Sequence, residues 1–371
     1  IFIGHWAAGG SVGAYRNIAM GYKTLTAAQP GSEYNIAIGH EAHNRNQIGE
    51  YNVALGSYSQ YFNINGHNNV SIGQKAMYTA GADGHAISDN ISIGRETTKE
   101  LEIGDYNIAM GYQSFADAVT GSYNVAIGYQ ACEDLGDSGV NNQGVVAIGY
   151  TALAHAENAS RAIAIGYATM ANAGTLNDPT TIQDNIAMGY RGLTALQKGT
   201  RNVSIGRDSG LAIVSGSYNV FLGMQAGMDF VSYENSVIIG QSADANATGE
   251  TNQVVIGSNA IGKGSNTVVL GDDNITDIYM SEDKGATLHT GTVSGSATST
   301  ASFGRFEGSA AGLTDIPAAA PTFTNKIIQT GVGGSDNTII GDSNTFAAQI
   351  DGGLTTSRRN VIIGADSGQY I

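Results

Sequence analysis

"GSYNVAIGYQA", Gly121–Ala131, is copied through the chain with light edits: "GDYNIAMGYQS" starts at Gly104, "GEYNVALGSYS" at Gly49 and "GSYNVFLGMQA" at Gly216. Aligning on the glycine that closes each apolar run gives Gly4, Gly21, Gly39, Gly56, Gly73, Gly94, Gly111, Gly128, Gly149, Gly166, Gly189, Gly206, Gly223, Gly240 and Gly257. Ten of the fourteen intervals are seventeen residues; the others are 18, 21, 21 and 23. Gly271 follows after 14, and two further units end at Gly341 and Gly364.

Each column of the alignment has its own chemistry. One and three residues before the glycine stand large aliphatic residues, as in Val125 and Ile127, with Ala or Ser between them from Ala19 as far as Ser204. Period-two alternation in β-branched residues predicts a short strand. Four residues before the glycine, ten units carry Asn: Asn17, Asn35, Asn52, Asn69, Asn90, Asn107, Asn124, Asn185, Asn202 and Asn219. Three residues after it the side chain is always small. Seventeen residues hold two strands of about five and two tight turns, with no space for a helix in every unit. The expected fold is therefore all-β, a parallel β-solenoid with one unit per coil and copies stacked about 4.8 Å apart. The aliphatic pair is expected in the core, and the Ala or Ser column is a candidate for close contact with a neighbouring surface. The Asn column is expected to be a structural ladder at a turn, not a ligand array. Tyr rows after the glycine (Tyr22, Tyr112, Tyr129, Tyr150, Tyr167, Tyr190) and before the Asn (Tyr34, Tyr51, Tyr106, Tyr123, Tyr218) should also stack. Such rows bind glycans in some settings and serve as cross-strand packing in more.

Composition narrows the function classes. The 371 residues carry a net charge of −15, with only 13% charged residues, 52 Gly and 4 Pro. No basic patch is present to displace counterions from a phosphate backbone, which argues against nucleic acid. No apolar run approaches the roughly 20 residues of a spanning helix, which argues against membrane insertion by that route. Cys132 is the single cysteine, so neither a disulfide framework nor a cysteine zinc site is expected. The chain opens inside one repeat and closes soon after another, as an ordered part of a longer protein would.

The pattern N-[VI]-[AS]-[VILM]-G-x-x-[AST], clearest in "ENSVIIGQSA" at Glu234 and "NTVVLGDDN" at Asn266, resembles the head repeat of trimeric autotransporter adhesins, the YadA-like head. It covers about residues 1–271 and again 337–367. The resemblance implies a left-handed parallel β-roll assembled as a homotrimer; the family's common unit is shorter, so the turns here are longer. "FEGSAAGLTDIPA", Phe306–Ala318, resembles a segment of tailed-bacteriophage fibre proteins. The expected organisation is a solenoid shaft over 1–271, a Gly/Ser/Ala-rich connector over 272–326 and a second repeat-bearing segment over 327–371.

The expected function is structural: the shaft of a phage tail fibre on the virion surface, partnered by itself as a homotrimer and by other tail proteins. A host-surface glycan or outer-membrane protein is the further partner class. The alternatives are a bacterial autotransporter passenger at the cell surface and a glycan-depolymerising tail protein. No catalytic, cofactor or metal residues are expected: the His40/His43 spacing lacks a third ligand, and the Gly-rich "GGSVG" and "GVGGSD" lack the lysine of a phosphate loop. Recognition is expected where the repeat is interrupted. The three long units hold Tyr78, Asp83 and His85; Asp134, Asp137 and Asn141; and Asn172, Asn177 and Asp178.

Overall fold

A computed structural model of the chain describes residues 1–82, 84–135, 142–156, 159–174 and 182–279, and the strands Ile327–Thr330, Thr338–Gly341 and Val361–Ile363. Contacts divide the chain into two compact units, Ile1–Glu282 and Asp283–Ile371.

The first unit is a parallel β-solenoid of about fifteen turns, with no helix among its described residues. One 16-stranded sheet runs from Phe2–Ile3 to Val268–Leu270, taking one strand per coil in chain order. Register is unbroken: Ile108 pairs with Val125, Val125 with Val146, and Val146 with Ile163. The longer units keep it too, with Val70 opposite Ile91 and Ile163 opposite Ile186. No described helix is long and apolar enough to cross a membrane.

The coil that closes at Gly128 shows how the chain turns. Tyr123, Gln130 and Cys132 all have left-handed φ, at 61°, 51° and 52°, and Gly128 sits at 139°. Such residues cost energy alone and persist only where their surroundings fix them. Backbone hydrogen bonds between coils do so here. The Gln130 N–H donates down to the Tyr112 carbonyl at 2.9 Å, while Cys132 and Asp134 donate up to Ala152 and Ala154 at 3.0 and 2.8 Å. The turn thus ladders from coil to coil as the strand does. This leaves little second strand. The opposite side pairs only in short pieces, such as Gly121–Ser122 with Asn142–Gln143 and Ser215–Ser217 with Ser232–Glu234. The expected two strands of about five residues become, in most coils, one strand of three.

The core is inverted relative to the expectation. The middle strand residue faces inward: Ala109, Ala126, Ala147 and Ala164 are at most 1% exposed. Val125 and Ile127 lie on the outer face, half-buried. Across the thin coil the Ala column meets the residue four places after the glycine, fully or almost fully buried as Leu25, Met77, Phe115, Cys132, Leu153, Met170 and Leu193. Volume decides the direction: a large side chain from the turn fills the section, so the strand supplies a small one. One coil swaps the two. Phe221 takes the strand position and Gly227 the turn position, where an added Cβ would collide with the Phe221 ring.

His43 occupies the same turn column, fully buried, and neither ring nitrogen has a hydrogen-bond partner. Burial lowers its pKa from 6.5 to about 3. The native state keeps the imidazole neutral, and the unfolded chain binds the proton first. This stability is complete above about pH 6.5 and declines by about 1.4 kcal/mol per pH unit as pH falls toward 3. In thermal melts at pH 7 and pH 4, His43→Leu should lose less stability than the parent; an equal loss would refute the assignment.

In the second unit, Thr338–Gly341 pairs antiparallel with Ile327–Thr330 and parallel with Val361–Ile363. Ile339 and Ile340 stand opposite Ile362 and Ile363, so the two late copies of the motif stack in register as the coils do. The connector expected over 272–326 lies almost entirely outside the described residues.

Candidate interaction surfaces

The Asn column is closed to ligands. Asn107 Oδ1 accepts from the Asn124 N–H at 3.0 Å; Asn107 Nδ2 donates to Asn90 Oδ1 at 3.0 Å and to the Gly121 carbonyl at 2.8 Å. Asn52, Asn69, Asn202 and Asn219 repeat the pattern, and Asn35 does so except that its Nδ2 donates to Ser32 Oγ and the Gly49 carbonyl. All are buried. Their polar atoms are committed to backbone and to one another.

The Tyr rows stack on themselves in part; Tyr22 instead stacks with His5 and His40, and Tyr218 lies under Arg201. Tyr112, Tyr129, Tyr150, Tyr167 and Tyr190 form a continuous column with ring centroids 4.9 to 5.3 Å apart. Tyr34 stacks on Tyr51, and Tyr106 on Tyr123. Arg95 lies over the Tyr112 ring, and Arg191 and Arg207 both lie over Tyr190, capping the column's ends. A sugar stacks on a ring face, and along the Tyr112–Tyr190 column these faces are occupied by neighbouring rings or guanidinium groups. What the rows present outward is ring edge and hydroxyl.

Of the loop candidates, Asp83, Asp137, Asn141, Asn177 and Asp178 lie outside the described residues. Tyr78 packs among Tyr58, Tyr61 and Phe62. His85 is exposed. Asp134 accepts a 2.6 Å bond from His155, and the Asn172 carbonyl accepts from Gln197 at 2.7 Å. Tyr78, Asp134 and Asn172 belong to coils closing at Gly73, Gly128 and Gly166, roughly 14 and 10 Å apart along the stack. Sequence reasoning grouped them as interruptions; the stack separates them.

Two buried carboxylates are fully engaged. Asp208 pairs with Arg191 and Arg207. Asp244 accepts from the Tyr233 hydroxyl and from the Asp229 and Ala245 N–H groups. Burial pushes the Asp244 carboxyl up. Cys132 is buried, and its thiol is pushed up as well. No group of three His, Cys, Asp or Glu fit for a metal occurs among the described residues.

The outer face of the 16-stranded sheet is a long apolar surface. Both aliphatic columns point outward, half-buried or exposed in every coil; Ile38, Ile72, Met110, Ile205, Leu222 and Ile256 are exposed. Parallel sheets are normally covered on both faces. Here one face is a continuous aliphatic stripe, roughly 70 Å by 10 Å and on the order of 700 Å². That exceeds the apolar patch a monomer ordinarily exposes and approaches the area each partner gives to a standard interface. The stripe was hidden from sequence reasoning because alternation shows that two faces exist without showing which one is inside. No protein-family model matches this chain, and no curated protein matches it either.

Proposed function

We propose that the chain is a structural fibre segment that works as a homotrimer, the shaft of a tailed-phage fibre whose exposed turns present a recognition surface. The observation that carries this reading is the uncovered aliphatic stripe. A rod bearing such a face along its whole length gains most by burying it against copies of itself. Three stripes meeting on one axis allow each chain's two columns to contact two neighbours, with the Tyr edges forming an amphipathic rim. The closing contact is aliphatic, which replaces the expectation that the Ala and Ser column makes it: that column is inside the coil. The repeat pattern also resembles a bacterial autotransporter passenger, and "FEGSAAGLTDIPA" favours the phage setting.

Mass in solution is the test. Three chains are expected. Ile127→Lys with Ile165→Lys should reduce the particle to one chain while leaving the β circular dichroism unchanged, because both side chains point away from the coil's core and an unpaired buried lysine is costly. A single-chain mass for the parent would refute assembly, and a stable pair of chains would refute the threefold.

A further inference from the structure

We propose that the turn side of the early coils is a binding site for a carboxylated oligosaccharide, centred on Arg45, Tyr61, Phe62, Lys75 and Tyr78. Four half-buried rings meet there. Tyr61 stacks on Tyr78 with centroids 5.6 Å apart, Phe62 lies edge-on to Tyr78 at 5.5 Å, and Tyr58 closes the cluster edge-on at 5.7 Å from Tyr61. Unlike the Tyr columns, this group mixes stacked and edge-on ring orientations.

The cations at this cluster set it apart. Elsewhere in the described coils most basic side chains lie on carboxylates: Arg16 on Glu33, Arg95 on Glu96, Lys99 on Glu100, Arg161 on Asp184 and Arg191 on Asp208. Arg45 and Lys75 have no carboxylate partner among the described residues. The Arg45 guanidinium lies 4.6 Å from the Phe62 centroid and 5.7 Å from that of Tyr61, and the Lys75 ammonium lies 5.7 Å from that of Tyr78. A ring holds a cation in place without neutralising it, so both remain ready for an anion from outside. In a chain of net charge −15, two unpaired cations among aromatic rings are a selective feature.

A shallow groove leads away from Tyr61, lined by Trp6, Gly10, Lys23, Thr26, Glu41 and Asn44. Lys23 and Glu41 offset each other at 3.8 Å, so this stretch is polar and close to neutral. Gly10 lets the chain close on itself there, since an added Cβ would fall 2.5 Å from the Thr26 carbonyl oxygen. Neutral sugar rings fit the groove, and an acidic sugar fits the Arg45 and Lys75 end. Groove and cluster together span five coils from Trp6 to Tyr78, four steps or roughly 19 Å, enough for a short oligosaccharide.

The biological setting rests on the fibre reading, but binding by the isolated chain does not. The probe is a tetrasaccharide of alternating glucuronic acid and N-acetylglucosamine, compared with the same compound after reduction of its carboxylates to alcohols. Calorimetry measures binding, and emission of Trp6, the only tryptophan, reports on the groove. The acidic compound should bind, and the reduced one about tenfold or more weakly. Arg45→Gln with Lys75→Gln should produce the same loss with unchanged circular dichroism, and Tyr61→Ala should weaken both compounds. No binding at millimolar tetrasaccharide would overturn the proposal. So would equal binding of the reduced compound, an unaffected double variant, or a preference for acidic peptide over the saccharide. Mass measured on the same samples separates the two readings: a single chain that binds the probe refutes the fibre, and a trimer that does not bind it refutes only this site.

Discussion

Asn107→Ala is expected to destabilise the solenoid around that coil by about 3–6 kcal/mol. The substitution removes three hydrogen bonds and leaves two buried polar groups short of a partner: the Asn124 N–H, which donates to Asn107 Oδ1, and the Gly121 carbonyl, which accepts from Asn107 Nδ2; Asn90 Oδ1 loses the Nδ2 donor but keeps the residue-107 N–H at 2.9 Å. Each orphaned buried group costs about 1–3 kcal/mol, and the truncated side chain also opens a void. The alanine side chain cannot reach either orphaned group, and the coil spacing admits no shift that would pair them. Because a solenoid's stability is a chain of nearest-neighbour terms, the damage should be local first. Hydrogen exchange should quicken at Asn124 and in the strands on either side, Ile108–Met110 and Val125–Ile127, while strands near Val237–Ile239 keep their protection. Protection unchanged at Asn124 would show that the column is dispensable.

Much of the architecture was legible because a solenoid prints its geometry as a period. Intervals of seventeen, the Asn four residues before each glycine and the glycine itself locate strand, ladder and corner. The direction of the strand was not legible. Val125-Ala126-Ile127 alternates equally well for either face, and only the residue opposite decides. That residue, four places after the glycine, is Leu25, His43, Gln60, Met77, Thr98, Phe115 or Cys132 in successive coils, so it shows no hydrophobic column. Its signal was volume compensation: Phe221 in the strand coincides with Gly227 in the turn. The left-handed turn positions were equally silent, because Lys23, Glu41, Lys75 and Gln130 occupy them instead of Gly or Asn. At the surface, Tyr78 stood out by flanking an interruption. Arg45, Tyr61 and Phe62 lie in regular coils, and only stacking those coils brings them to Tyr78.

Gly128→Ala is the complementary test, because it attacks the stack through the backbone. Gly128 has φ 139°, where an L-residue is strained, and an ideal Cβ there would strike the carbonyl oxygen of Gly149 and lie 2.7 Å from its carbonyl carbon. Both obstacles are main chain, already held by the strand register of the next coil, so neither gives way by a rotamer change. The Cβ points toward the later coil only, and the Gly111 side is spared. The expected cost is about 3 kcal/mol or more, combining strained φ with the clash. Gly249 is the control: it has φ 83° with nothing within 4 Å of its Cβ, so Gly249→Ala should cost only about 1–2 kcal/mol of backbone strain. Exchange protection should fall first in Val146–Ile148, the strand that must move away from the new methyl group, and less in Ile108–Met110. Equal losses on both sides, or equal costs for the two glycines, would mean that the column tolerates side chains and that the coil spacing is set by something other than glycine contact.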